Sequence, residues 1–262
     1  MPFAELGDIR VRYRWDGPND APVLVFSNSL GTDLEMWDLQ VERLAGGYRI
    51  LRYDTRGHGE TSVTPGPYTI EQLGRDVLSL IDELGIDRCH FCGLSMGGQI
   101  GLWLGINAPD RLKSLVVANS GTAIGTPTGW NERISRAKSE GMHSVAKDVA
   151  ERWFTPQFRY DHPDMVKRIV NMLESTSAEG YANCCAAVRD CSLTNEITRI
   201  SIPTLLIAGE FDPATPPALS TSIAAAVKAS RYECLPAAHL SNVECADQFT
   251  VTLRSFIEAQ NG

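Results

Sequence analysis

The chain has 262 residues, enough for one large domain and too few for two ordinary domains of comparable size. Its formal net charge of −8 argues against nucleic acid as a partner, because nucleic-acid binding depends on clustered cations. The N-terminal segment lacks a basic stretch followed by an apolar core, and no apolar run approaches membrane-spanning length, so we expect neither a secretory signal nor a membrane partner.

Strand and helix patterns alternate along most of the chain. Extended apolar patterns cover residues 3–6, 9–15, 23–26, 49–53, 89–92, 112–118, 204–208 and 231–235. Helical patterns cover residues 36–44, 70–84, 96–107, 217–227 and 246–258. This alternation predicts an α/β fold with a mostly parallel, eight-stranded sheet that carries helices on both faces.

One region interrupts the alternation. Between residues 121 and about 195, the sequence shows consecutive helical patterns and no strand, at residues 133–138, 145–154, 165–173 and 181–188. A run of helices between two strands of one sheet is typical of an insertion. We therefore predict a core domain made of residues 1–120 and 196–262, with a helical cap over residues 121–195.

The cysteines bear on location and on metal binding. Seven cysteines, an odd number without framework spacing, favour reduced thiols and a cytoplasmic location. Cys89, His90 and Cys92 lie close together on one predicted strand, but strand alternation points the His90 side chain away from Cys89. We therefore assign no metal.

The most informative motif is Gly93-Leu94-Ser95-Met96-Gly97. It joins a predicted buried strand to a predicted helix, and a sharp strand-to-helix turn of this kind exposes its central serine at the edge of a sheet. The two glycines lie where side chains would keep the strand and the helix from closing up. An ordinary glycine-rich turn is the alternative. The strand–turn–helix setting favours Ser95 as a nucleophile.

A serine nucleophile needs a base, and the base needs a carboxylate. In the chain order nucleophile, acid, histidine, only His239 lies far enough downstream of Ser95. Asp212 follows the predicted strand 204–208, at the sheet edge where the serine is expected. We favour Asp212 over Glu210 because Pro213 and a second proline stiffen its loop, although a simple turn aspartate is the alternative.

An oxyanion formed at Ser95 needs two hydrogen-bond donors. One candidate is the backbone N–H of Met96, directly after the nucleophile. The second is the backbone N–H of Leu30, in the loop that follows the predicted strand 23–26. A plain surface turn is the alternative for this loop. We interpret His58, in the glycine-rich loop 54–59, as a structural residue that supports the oxyanion turn through hydrogen bonds.

The sequence resembles the α/β hydrolases, and within this family the 3-oxoadipate enol-lactonases. The resemblance runs over nearly the whole chain, and its main motifs are Asn28-Ser29-Leu30-Gly31-Thr32-Asp33, Asp54-Thr55-Arg56-Gly57-His58-Gly59, Gly93-Leu94-Ser95-Met96-Gly97-Gly98, Arg152-Trp153-Phe154 and Gly209-Glu210-Phe211-Asp212-Pro213. It implies an α/β-hydrolase fold and a carboxylic-ester hydrolase. The implied reaction opens 3-oxoadipate enol-lactone in the β-ketoadipate pathway of aromatic degradation, through an acyl-serine and without a cofactor.

The implied substrate is a small anionic lactone, so its carboxylate needs a cation. The predicted cap offers four cations, Arg133, Arg136, Lys138 and Arg152. We prefer Arg133 because it comes soon after the predicted strand 112–118, from where it could point toward the turn that carries Ser95. Trp130 and Trp153 are candidates for the pocket wall. A solvated cap arginine and ordinary aromatic packing are the alternatives.

Two other functions stay open on the same fold. A broad-specificity carboxylesterase or cofactor-free perhydrolase, related to haloperoxidases, shares much of the pattern. A hydrolase-fold ligand receptor that turns over slowly also keeps such a triad. A dehalogenase or epoxide hydrolase would need a carboxylate at position 95, which is serine. We expect a monomer or a small homo-oligomer.

Overall fold

The computed structural model describes residues 2–146 and 148–260, and within them eight strands form one sheet. The strands β1 to β8 are Phe3–Leu6, Ile9–Asp16, Val23–Ser27, Arg49–Tyr53, Cys89–Leu94, Leu112–Ala118, Thr204–Gly209 and Ser230–Leu235. Their order across the sheet is β1-β2-β4-β3-β5-β6-β7-β8. The strands β1 and β2 form an antiparallel hairpin, and β2 pairs antiparallel with β4.

All pairings from β4 to β8 are parallel, which confirms the predicted mostly parallel sheet. The strands β5 and β7 are buried along their whole length, and their residues are mainly apolar. Such continuous apolar runs are expected for strands that are covered on both faces. Because neighbouring strands run parallel, the C-terminal ends of β3, β5, β6 and β7 meet at one edge of the sheet.

Twelve α-helices accompany the sheet in the described part of the chain. They are α1 to α12, with bounds Asp38–Leu44, Ile70–Glu83, Met96–Asn107, Pro127–Glu140, Met142–Ala146, Val149–Trp153, Pro156–Asp161, Pro163–Ser175, Ala178–Asp190, Pro217–Ala226, Ser241–Glu244 and Ala246–Glu258. Helix α1 packs against α12, and α2 packs against α3. The apolar stripe of α2 faces inward, with Leu73, Val77, Leu80 and Ile81 buried. No helix described here is long and apolar enough to span a bilayer.

The helices α4 to α9 lie between β6 and β7, where the sequence predicts consecutive helices. Helix α4 packs against α9, and α5 packs against α8. The prediction of one helix over residues 145–154 is wrong, since α5 ends at Ala146 and α6 begins at Val149; residue 147 lies outside the described residues. Helix α7 was not predicted. Its first residue is Pro156, and the side chain of Thr155 caps it by accepting the Phe158 N–H.

Helix α9 contacts the loop that follows β4 through a pair of glycines. A Cβ at Gly180 would lie 2.2 Å from the Gly57 carbonyl oxygen, and a Cβ at Gly57 would lie 2.7 Å from the Gly180 Cα. Neither position therefore has room for a side chain. The backbone of Gly57 has a φ of +80°, which glycine adopts without steric cost. This contact brings α9 close to the loop that contains His58.

Candidate active site

Ser95 lies on the turn between β5 and α3 with a φ of +57°, a conformation that residues other than glycine rarely adopt. The flanking glycines are required by space, because a Cβ at Gly93 would meet the Gly97 carbonyl oxygen at 2.0 Å, and a Cβ at Gly97 would meet the Ser27 carbonyl oxygen at 2.3 Å. The Ser95 N–H donates to the Ala118 carbonyl at 2.9 Å, which holds the turn against β6.

Asp212 and His239 meet at the same edge of the sheet. Asp212 follows β7, and His239 follows β8. The His239 Nδ1–H donates to Asp212 Oδ2 at 2.8 Å, and both residues are 3% exposed. This hydrogen bond fixes the tautomer that leaves Nε2 as a proton acceptor.

Asp212 also accepts hydrogen bonds from its own loop and from the residue that follows β6. Its Oδ1 accepts the backbone N–H groups of Ala214 and Thr215 at 2.8 and 2.9 Å. Its Oδ2 accepts the Thr215 hydroxyl at 2.5 Å and the Asn119 amide at 3.0 Å. Burial by itself raises the pKa of Asp212, but the charge and hydrogen bond of His239, together with Thr215, bring that pKa well below its usual value. The carboxylate is therefore ionised at neutral pH.

Sequence reasoning missed Asn119 and Thr215. Asn119 follows β6 directly with a φ of +44°, and its amide bridges Asp212 Oδ2 and the Ala238 carbonyl. Its side-chain oxygen accepts the Ser241 hydroxyl at 2.5 Å. The available signal was its position, because Asn119 directly follows a predicted strand and asparagine tolerates a positive φ.

Ser95 and His239 line one cavity of about 460 Å³. The Ser95 side chain does not cap the helix that it begins, and the residue is 9% exposed. Over residues 2–146 and 148–260, no hydrogen bond joins the Ser95 hydroxyl to the His239 imidazole. In structures without substrate, the nucleophile–base contact is often loose and tightens only in the complex. The structure thus brings the three predicted residues to one place, with the aspartate–histidine contact formed.

The two predicted oxyanion donors adjoin Ser95. Met96 opens α3, so its N–H has no partner within the helix, and the Gly97 N–H that follows donates to the Asn28 carbonyl at 3.1 Å. Leu30 lines the cavity beside Ser95. The amide N–H groups on either side of Leu30 are engaged, with Ser29 donating to Met36 Sδ at 3.3 Å and Gly31 donating to His58 Nε2 at 2.8 Å.

His58 therefore contacts the loop that carries Leu30 directly. The imidazole is buried, and this burial lowers its pKa to about 4. The neutral ring can accept the Gly31 N–H at Nε2, whereas the imidazolium cannot. Cys184 of helix α9 lies on the other side of the ring, with its sulfur 3.9 Å from His58 Nδ1.

The predicted substrate residues all line the same cavity as Ser95, namely Trp130, Arg133 and Trp153. Trp130 is held by its Nε1–H, which donates to the Ile124 carbonyl at 2.6 Å. The Arg133 guanidinium lies over the Trp130 ring, 4.7 Å from its centroid. The aromatic wall and the arginine of α4 therefore form one packed unit.

Two more arginines line the cavity. Arg136 pairs with Asp148 at 2.8 Å. Burial, and next the positive charge of Arg133, lower the pKa of Arg152. One terminal nitrogen of Arg152, Nη2, is buried without a hydrogen-bond partner in the part of the chain that the structure describes. The fourth candidate, Lys138, is exposed and lies outside the cavity wall.

The chemistry of this cavity is that of a serine hydrolase. A strained serine, a histidine hydrogen-bonded to an ionised aspartate, and backbone N–H groups at a helix start occupy one edge of a parallel sheet. Within residues 2–146 and 148–260, no group of three or more His, Cys, Asp or Glu side chains is arranged to hold a metal ion. A family model described as the alpha/beta hydrolase fold matches residues 22–244, and the chain belongs to this family.

Two of the similar proteins are named as enol-lactonases, and one is named as an esterase. The 3-oxoadipate enol-lactonase 2 of Acinetobacter baylyi is 41% identical over 254 residues, which cover 97% of this chain and 95% of that protein. The crystal structure of the enol-lactonase from Burkholderia xenovorans has 44% identity and a TM-score of 0.97, covering 98% of this chain and 100% of that one. A malate-bound esterase from Thermogutta terrifontis has 27% identity and a TM-score of 0.92, covering 99% and 97% of the two chains.

Proposed function

We propose that this protein is an enol-lactonase that opens 3-oxoadipate enol-lactone to 3-oxoadipate. The observation that carries the proposal is the content of one cavity, which Ser95 and His239 share with three arginines, Arg133, Arg136 and Arg152. Two carboxylates, Glu132 and Asp148, also line it, and Asp148 pairs with Arg136, so the cations remain in excess. Ser95 and His239 suit acyl transfer, and the cations suit an acidic substrate. The identity of 41% to 44% with proteins named as enol-lactonases supports this choice of substrate.

The reaction begins with attack on the lactone. Ser95 Oγ bonds to the ring carbonyl carbon while His239 Nε2 takes the hydroxyl proton. Asp212 stays ionised and stabilises the imidazolium through its hydrogen bond to Nδ1. The N–H groups of Leu30 and Met96 donate to the oxyanion. Because these donors are fixed in the backbone, they need no reorganisation as negative charge develops.

Collapse of the tetrahedral intermediate breaks the ring carbon–oxygen bond. The leaving oxygen is that of an enol, and His239 returns the proton to it. Tautomerisation of the enol to a ketone makes the ring opening hard to reverse. The opened chain remains attached as an acyl-serine. Water, deprotonated by His239, then attacks the ester carbonyl and releases 3-oxoadipate and free Ser95.

The inserted helices supply the substrate contacts in this proposal. We infer that residues 121–195 act as a cap on a core of residues 1–120 and 196–262, because α4, α6 and α9 contribute cavity residues above Ser95. Arg133 pairs with the substrate carboxylate, and Arg152, with its unpartnered Nη2, adds a second donor. Trp130 and Trp153 close the apolar sides of the pocket.

A broad-specificity carboxylesterase is the second candidate. It is favoured by the likeness to the Thermogutta terrifontis esterase, at 27% identity over nearly the full length. The same residues would act on a neutral ester, but such a substrate has no carboxylate for the arginines to bind. A slow ligand receptor differs from both in having little turnover with either substrate.

A paired assay separates these functions. Freshly generated enol-lactone and p-nitrophenyl acetate are each followed spectrophotometrically, with Ser95→Ala as the control for both. We expect a higher kcat/KM for the lactone and no turnover of either substrate by Ser95→Ala. Preference for the aryl ester would replace the lactonase proposal with the esterase. A Ser95→Ala variant that keeps most of its activity would contradict the nucleophile assignment.

We also propose a cytoplasmic location. All seven cysteines are unpaired, and five of them are buried. Free thiols persist in reducing compartments. Whether the protein is a monomer or a small homo-oligomer stays a prediction from the sequence.

A further inference from the structure

The carboxylate of Glu244, the last residue of α11, joins two separate parts of the chain. Its Oε2 accepts the backbone N–H of Ala238 at 2.9 Å. Its Oε1 accepts the backbone N–H of Thr155 at 3.3 Å and also the Thr155 hydroxyl. Ala238 directly precedes His239, and Thr155 lies between the helices α6 and α7 of the inserted segment. One carboxylate therefore connects the histidine loop with the inserted helices.

The peptide groups around His239 are held from two sides. The Ala238 N–H is bound by Glu244, while the Ala238 carbonyl accepts the Asn119 amide at 3.1 Å. On the other side of the histidine, the Leu240 N–H donates to the Trp153 carbonyl at 3.1 Å. The backbone on both sides of the imidazole is thus tied to residues 153–155, through a direct hydrogen bond and through Glu244.

Glu244 itself lies away from the reacting groups. It lines an outer cleft of about 680 Å³ together with Thr155 and Ala238, and it is absent from the wall of the cavity that contains Ser95. His239 and Trp153 line that inner cavity. The histidine loop therefore lies between the substrate cavity and the Glu244 carboxylate, which touches neither substrate nor imidazole.

We propose that Glu244 is a positioning residue for His239, and that it aligns the imidazole and the 153–155 segment together. The inference rests on the proposed serine-hydrolase function, but not on the choice of lactone. A carboxylate suits the role because it accepts several donors at once, and hydrogen bonds to an ionised acceptor are stronger than neutral ones. Without it, the Ala238 and Thr155 N–H groups lose their acceptor, and the loop keeps fewer hydrogen bonds to hold the imidazole beside Ser95.

Three variants test the role. Glu244→Ala removes the acceptor. Glu244→Gln can rebuild both ties, with its carbonyl oxygen facing the Ala238 N–H and its amide donating to the Thr155 hydroxyl, which is able to accept. Glu244→Asp keeps the charge on a side chain one methylene shorter, which cannot reach the Ala238 N–H and the Thr155 groups together. Glu233→Ala, on the exposed face of β8, removes the same charge elsewhere and serves as the matched control.

The measurements are kcat and KM for both p-nitrophenyl acetate and the enol-lactone, and the low-field proton NMR resonance of His239 Nδ1–H, assigned with His239→Ala. We expect Glu244→Ala to lower kcat about 100-fold on both substrates, because small misplacements of a catalytic group cost that much. Its NMR resonance should shift or disappear. Glu244→Gln should stay within a few fold of the wild type in kcat and keep the resonance, and Glu233→Ala should match the wild type.

A folded Glu244→Ala with wild-type kcat and an unchanged resonance would overturn the proposal. If this variant does not fold, the decision falls on Glu244→Asp, whose wild-type kcat and resonance would overturn it equally. The failure of the lactonase function is seen separately, in a wild type that prefers the aryl ester, and Glu244 is then judged on that ester. If the wild type hydrolyses neither substrate, the NMR resonance alone decides.

Discussion

At the scale of single residues, uncharged groups next to Asp212 support its carboxylate. Asp212 would be costly to bury as an ion if its oxygens had no partners. Thr215 and Asn119 supply three of its hydrogen bonds, at 2.9, 2.5 and 3.0 Å. Thr215 adds to the effect of His239 in lowering the pKa of the carboxyl, and Asn119 helps to orient it toward His239, so its charge is available when the imidazolium forms.

The anion-binding role that we propose for Arg133 gives a prediction at this scale. We expect Arg133→Ala to raise KM for the anionic lactone about tenfold or more, because a hydrogen bond to a charged group contributes on the order of 1.5–3 kcal/mol. KM for neutral p-nitrophenyl acetate should change little. The measurement is steady-state kinetics on both substrates, with Lys138→Ala on the exposed side of the same helix as the control. Equal losses on the two substrates would remove the anion-anchor role.

The sequence makes Ser95, Asp212 and His239 predictable for a physical reason. The strained turn at Ser95 needs glycines on both sides of the serine, and these glycines are visible in the sequence. The order of residues along the chain and the positions of the strand ends then limit which histidine and which carboxylate can join the serine. Asn119 and Thr215 were not predicted because neutral amides and hydroxyls are common in loops, and nothing local marks those that converge on a buried carboxylate. Asn119, for example, contacts Asp212 although the two residues lie 93 positions apart in the sequence.

At the scale of elements, two loops are coupled through one imidazole. The loop after β3 presents the Leu30 N–H, and the loop after β4 holds its neighbour Gly31 through His58 Nε2 at 2.8 Å. The coupling requires a neutral ring. Because burial lowers the pKa of His58 to about 4, the ring remains neutral in the folded protein over a range in which it would be protonated in the unfolded chain.

This shift predicts an acid dependence of stability. In the unfolded chain His58 takes up a proton as the pH falls through 6.5, whereas in the fold it does so only near 4, so its contribution is complete above about pH 7 and is lost as the pH falls. Between about pH 7 and pH 5 the loss is about 2 kcal/mol. We expect His58→Gln to lack this part of the decline in the free energy of unfolding, measured by urea titration at both pH values.

Asp54 titrates with the opposite sign and does not obscure the test. Burial, opposed by hydrogen bonds from Glu60 and Leu34, raises the pKa of Asp54 to about 6. Its contribution therefore favours the folded state at lower pH. Because Asp54 is present in both proteins, its effect cancels when His58→Gln is compared with the wild type. The same acid decline in both proteins would contradict the role assigned to His58.

The sheet was predicted more accurately than the inserted helices. Strands such as β5 and β7 are short apolar runs next to glycine turns, so the local sequence is enough to identify them. Short helices such as α6 and α7 carry few turns and little periodicity, and their ends are set by capping at Thr155 and by packing against neighbours. The division into core and cap stays a prediction from the sequence.

At the scale of the whole molecule, the charge of the protein and that of its cavity differ in sign. The chain carries a formal net charge of −8, yet the wall of the cavity holds three arginines, Arg133, Arg136 and Arg152, against two carboxylates, Glu132 and Asp148. Physiological salt screens charges beyond about 8 Å. A bound anion would therefore be affected mainly by the arginines near it and only weakly by the acidic surface.

The distribution of thiols gives a prediction for the whole chain. Cys234 is exposed, Cys245 is partly buried, and the other five cysteines are buried. Burial, and then the negative charge of Glu244, raise the pKa of Cys245, which slows its reaction because the thiolate is the nucleophile. We expect 5,5′-dithiobis(2-nitrobenzoic acid) to react quickly with Cys234, slowly with Cys245, and with all seven thiols only after denaturation. Cys234→Ser should lose the fast phase, and fewer than seven thiols in non-reducing denaturant would reveal a disulfide.

The contact between Gly57 and Gly180 bears on attempts to redesign this enzyme. Helix α9 rests on the turn that carries His58, with no space for even a methyl group at either glycine. If the inserted helices were replaced by those of another hydrolase, the new segment would also need a glycine at this contact. Any side chain there would push the helix away from the loop. Substitutions that aim to change substrate selectivity are therefore safer in helix α4, whose Trp130 and Arg133 line the cavity, than near Gly180 in helix α9.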